Sequence, residues 1–117
     1  MIESTVIKYL NEVLDIPAYM EEPKNKPPEY VVLQVIDSGR TNYIDAVTFN
    51  ITSYSTSLLK AAQLNNMVKN AMYDIISIND ISSSKFGGGG QEINQATKQY
   101  AYYCIFNLFY TEETNNG

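Results

Sequence analysis

The sequence predicts an α+β protein: a mainly antiparallel sheet in one layer and two amphipathic helices packed on one of its faces. Three observations carry this. Ser57–Ser77 holds a helical period over about five turns. Asn42–Tyr54 and Gln99–Tyr110 alternate with a period of two. Nothing repeats as strand, helix and parallel strand, so the chain lacks the rhythm of a doubly wound sheet.

Taken in order, Met1–Asp15 reads as a short helix, with Ile2, Val6, Tyr9, Leu10 and Val13 on one side. Pro17 lacks an amide donor and biases Ile16 away from helical angles, which stops the helix near Asp15. Ala18–Glu21 suits a short extended piece, and Glu22-Pro23-Lys24-Asn25-Lys26-Pro27-Pro28 a charged, proline-rich loop. Tyr30–Asp37 is rich in β-branched residues and reads as a strand, turning at Asp37-Ser38-Gly39-Arg40. Asn42–Tyr54 returns as its hairpin partner, with Val47, Phe49 and Ile51 alternating against Thr48, Asn50 and Thr52.

The long helix follows. On a helical wheel Ala61, Leu64, Val68, Ala71, Met72 and Ile75 share one arc, with Leu58 and Ile76 at its edge. At 1.5 Å per residue it extends about 30 Å, enough to cross a small sheet. Ser55 or Ser57 can accept from a free amide of its first turn. Ile78–Ile81 is too short to assign. Ser82–Lys98 contains Gly87-Gly88-Gly89-Gly90, whose ordering costs maximal backbone entropy, and is expected to be a mobile loop. Gln99–Tyr110 is the last strand. One side carries Tyr100, Tyr102, Cys104, Phe106, Leu108 and Tyr110, and the other Ala101, Tyr103, Ile105, Asn107 and Phe109. The expectation is a single domain over residues 1–110, followed by a frayed tail at 111–117.

The 117 residues include 8 basic and 13 acidic side chains, a formal charge of −5, which argues against a phosphate-gripping surface. No stretch approaches the length of a membrane span and no signal pattern opens the chain, so the protein is expected to work without crossing a membrane. Catalytic machinery is also scarce. With no histidine, the usual triads and histidine-ligated metal sites are excluded, and one cysteine excludes a disulfide within the chain. Cys104, on an apolar strand face, reads as an inert buried thiol. Gly87–Gly90 lacks the Gly-Lys-Ser/Thr of a phosphate loop, and Glu21/Glu22 and Glu112/Glu113 are adjacent pairs whose side chains diverge into solvent. Asn50-Ile51-Thr52 matches a glycosylation acceptor only formally, within a strand. No catalysis, cofactor or metal is expected.

What stands out is tyrosine, ten residues against no tryptophan, and the last strand. Helices on one side of a sheet leave its other side open. There Tyr103, Ile105 and Phe109 would form an apolar patch suited to self-association.

The order of these pieces resembles the tail terminator, or tail completion, proteins of long-tailed bacteriophages and prophages. The likeness lies in the N-terminal helix running into Ile16-Pro17-Ala18-Tyr19-Met20, the proline-bearing loop Glu22-Pro23…Pro27-Pro28, and the strand Tyr30-Val31-Val32-Leu33-Gln34-Val35. It continues through the turn Asp37-Ser38-Gly39, the strand Ala46–Ser55, Ala61-Ala62-Gln63-Leu64 of the long helix, and the aromatic strand Tyr100–Tyr110. The resemblance spans Met1 to about Tyr110 and leaves the glycine run unmatched.

It implies a structural protein of the virion, assembled in the bacterial cytoplasm. Such a protein forms a homo-oligomeric, hexameric ring that caps the tail tube, ends tail polymerisation and joins tail to head. Its partners would be copies of itself, the tail tube protein and head–tail connector proteins, with DNA passing through the lumen without specific binding. The unmatched run Phe86, Gly87, Gly88, Gly89, Gly90 and Gln91, in a loop too long to be structureless without a role, is expected either to order on a partner as a docking loop or to be a slack hairpin connection. The alternatives are another head–tail junction component, of head-completion or connector type, and, from a different class, a small ligand-binding domain or enzyme.

Overall fold

A computed structural model describes residues 1–94 and 99–111. In chain order these form α1 (Ile2–Val13), β1 (Ala18–Tyr19), β2 (Tyr30–Thr41), β3 (Ile44–Ser55), α2 (Leu58–Asp74) ending in a 3₁₀ turn (Ile75–Ser77), β4 (Ile81–Asn94) and β5 (Gln99–Tyr110). The sheet runs β1-β2-β3-β5-β4. Among the described residues β1 pairs parallel to β2, and the other neighbours pair antiparallel.

One core joins both layers. Val6 and Leu10 of α1 and Leu64, Val68 and Met72 of α2 share a buried cluster with Leu33, Val47, Phe49, Ile51, Cys104, Phe106 and Leu108 of the sheet. The sheet members of that cluster lie in cross-strand rows: Leu33, Ile51 and Cys104 in one, Phe49 and Phe106 in another, Val47 and Leu108 in a third. Because strand side chains alternate, these rows form one face, and both helices cover it. The phenol of Tyr9 ties the helices together by donating to the carbonyl of Ala71 at 2.7 Å. At the start of α2, Ser57 Oγ accepts from the amide of Lys60, the cap expected from sequence.

Two expectations are corrected. The hairpin turn is not at Asp37–Arg40: β2 continues through Gly39 to Thr41, and the turn is Asn42-Tyr43, with φ of 51° and 67°. Two consecutive left-handed residues give a two-residue turn whose twist matches that of the flanking strands, and Asn tolerates that region well. The glycine turn would have cut the ladder short by several pairs.

The second correction is larger. Ser82–Asn94, expected as loop, belongs to strand β4 and pairs with β5 along its length; of that segment, 95–98 lie outside the described residues. The entropy cost of ordering the glycines is real, but β5 offers an unpaired edge, and cross-strand hydrogen bonds offset it. The run is shaped to that edge. The register shifts between Phe86 and Gly88, and Gly88 takes φ +127°, open only to glycine at little cost. At Gly89 a Cβ would collide with the backbone carbonyl oxygen of Tyr103. The flanks also hold the strand: Ser84 Oγ donates to the carbonyl of Met72 at 2.7 Å, and Phe86 packs edge-on to Phe106 at 5.7 Å between ring centroids. Of the expected frayed tail, Thr111 is anchored, its amide donating to Asp80 at 2.9 Å, and 112–117 lie outside the described residues.

Candidate self-association surface

The face of the sheet away from the helices carries the alternate residues of each strand. Its central rows pair Ala46 with Phe109, Thr48 with Asn107, Asn50 with Ile105, and Thr52 with Tyr103. Tyr103, Ile105 and Phe109 therefore share this face, as the period of two requires. Tyr103 and Ile105 are half-buried and Phe109 is 46% exposed, so the three offer apolar surface without projecting as a continuous ridge.

Polar side chains interrupt them. Thr48 donates to Asn107 Oδ1 at 2.6 Å across the strands, while Asn50 Oδ1 is buried with no hydrogen-bond partner. The surface is thus mixed, of the composition found at interfaces that separate as well as associate.

The residues around Phe109 were not read from the sequence. Phe109, Ala46 and Ile44 line a largely apolar hollow of about 460 Å³, closed by Thr41, Asn42 and Ser82. Beside it Tyr43 is 84% exposed and held at positive φ, an uncommon place for a bulky side chain. Placing the turn at Gly39 hid this group, since Tyr43 then belonged to a strand. Asn42, a residue that tolerates positive φ, was the available signal.

The helix layer has apolar exposure of its own. Val13 and Met67, 50% and 45% exposed, border a groove of about 300 Å³ between α1 and α2. The expected docking loop does not exist as a loop: Phe86–Gln91 sits in β4, with Phe86 turned to the helix side against Phe106 and under Lys69.

A polar cluster holds the far end of the sheet. Tyr30 donates to Glu22 at 3.0 Å, accepts from Gln99 at 3.2 Å and stacks on Tyr54 at 4.7 Å. Burial, then the Glu22 contact, raises its pKa and keeps the phenol protonated. Glu22 also pairs with Lys26 at 3.5 Å, which fastens the proline-rich loop to this end of the sheet. Among the described residues no group of three Cys, Asp and Glu side chains converges, and no helix is long and apolar enough to cross a membrane.

Cys104 is fully buried, and burial pushes its thiol up to about 12 from an ordinary 9.0, with Lys69 pulling weakly the other way. Between those values the unfolded chain has lost the proton and the native state still holds it. Rising pH therefore favours unfolding across that window. Denaturant unfolding is expected to show stability falling from pH 9 towards 12, and falling less steeply in Cys104→Ala. Equal slopes in the two proteins would mean that the thiol ionises freely.

No protein-family model matches the chain, and no curated protein matches it in sequence.

Proposed function

We propose that the protein is a ring-forming structural subunit of a bacteriophage or prophage tail. In this role it caps the tail tube, ends its polymerisation and provides the surface that joins tail to head. The observation that carries this reading is the one-sided fold: two helices cover one face of the sheet, and Phe109, exposed, lies on the other with Tyr103 and Ile105, both half-buried.

The sheet patch around Phe109 and the groove beside Val13 and Met67 are different surfaces in different layers. Contact between one copy's sheet patch and the next copy's helix layer is head-to-tail, and such contacts close into rings when the rotation per subunit allows it. The sequence resemblance to tail terminator proteins supplies the role and the expected hexamer. The formal charge of −5 suits a lumen that DNA passes without being held.

The test pairs the purified protein with a tail tube protein of a long-tailed bacteriophage. Tubes polymerised with the protein present are expected to stop short and to carry a terminal ring in negative-stain images. Tubes of unchanged length, with bare ends, would contradict the assignment.

A further inference from the structure

A cleft of about 220 Å³ lies between α2 and the outermost strand β4. Asn65, Asn66 and Lys69 line it from the helix, and Phe86, Gly89 and Tyr102 from the sheet. Asn65 is only 5% exposed, and its Oδ1 has no hydrogen-bond partner. A buried acceptor left this way is destabilising, and a donor brought to it removes that cost. Lys69 holds its ammonium 4.8 Å from the centroid of the Phe86 ring, and no carboxylate among the described residues pairs with it. Tyr102 already spends its proton on Gln91 Oε1, at 3.0 Å, so its ring is an apolar wall.

These groups ask for three things together: a negative charge for Lys69, an N–H for Asn65, and an aliphatic stem between Phe86 and Tyr102. The volume falls below the 300–1,000 Å³ or so usual for small-molecule pockets and suits a single side chain. A glutamate residue within a peptide has all three parts. The setting suits a peptide as well, because β4 is an edge strand. Alternate backbone groups of an antiparallel edge point away from its one neighbour and can receive an added strand.

We propose that the cleft between α2 and β4 docks an extended, glutamate-bearing segment of a partner protein. Its carboxylate meets Lys69, and a backbone N–H meets Asn65 Oδ1, which the side chain must turn to present because that atom is closed to solvent in the free chain. The lining includes Tyr103 but neither Ile105 nor Phe109 of the outer face, and the site needs one copy of the chain only.

The probe is a fluorescein-labelled peptide, Thr-Val-Glu-Val-Thr, compared by fluorescence polarisation with its glutamine counterpart. The glutamate peptide is expected to bind about tenfold or more tightly than the glutamine one, with the preference shrinking as salt rises. Lys69→Met should remove that preference. Asn65→Leu should weaken binding while leaving the melting temperature unchanged or higher, because it deletes an unpaired buried acceptor at similar volume. A side chain needed only for the fold would behave the opposite way. The proposal is overturned if neither peptide binds at about 1 mM, if the two bind equally, or if Lys69→Met binds as the parent does. Lys69 is partly exposed, so that variant decides the matter should Asn65→Leu fail to fold.

Discussion

Ile105→Asp is expected to abolish self-association while leaving the subunit folded. Ile105 is half-buried on the outer face of the sheet, opposite Asn50 and two residues from Asn107. In the isolated subunit a carboxylate there has water and polar neighbours, so the fold should lose the difference in strand preference and the half-buried apolar area of Ile105, about 2 kcal/mol together. In the assembled ring the same carboxylate would be taken out of water without a partner. That costs several kcal/mol, on the order of a thousandfold in affinity. Sedimentation should show a subunit-sized species with a native circular dichroism spectrum. A folded variant that assembles like the parent would place the contact elsewhere.

Gly89→Val should be the most damaging change within the glycine run. The new Cβ would meet the Tyr103 carbonyl oxygen and lie 3.3 Å from Cys104 Cα, and both belong to the backbone of β5. No rotamer relieves such a contact, so β5 must shift, with a cost of about 3 kcal/mol. At about 4 °C per kcal/mol for a chain of this size, the melting temperature should fall by about 10 °C. Gly39→Ala is the control. Nothing lies within 4 Å of a Cβ there and φ is not positive, so stability should stay unchanged or rise slightly. Equal effects at the two positions would mean that β4 does not lie against β5 as described.

The contrast between these glycines shows where sequence reading succeeded and where it failed. The stripe Ala61, Leu64, Val68, Ala71, Met72 and Ile75 was legible because one helix must bury one arc against one surface, and all six are buried. The alternation along β3 and β5 was legible for the same kind of reason, and it placed Tyr103, Ile105 and Phe109 on a common face. β4 was not legible. Its glycines score against strand formation in isolation, and their role appears only once β5 is laid beside them with Tyr103 in close approach. Context overrode propensity there.

Asn65 is the intermediate case. It stands four residues after Ala61 and three before Val68, inside the buried arc, so the wheel held a polar residue in an apolar stripe. Its position was readable. That its amide oxygen stays unpaired beside a cleft was not, because this depends on Phe86, Gly89 and Tyr102 from two distant strands.

A chain that works as a ring must show it in its mass in solution. Light scattering across a concentration series is expected to give a species of about six times the 13.2 kDa subunit, falling towards the subunit mass only on dilution. A mass of 13.2 kDa at every concentration, with the protein folded, would contradict it.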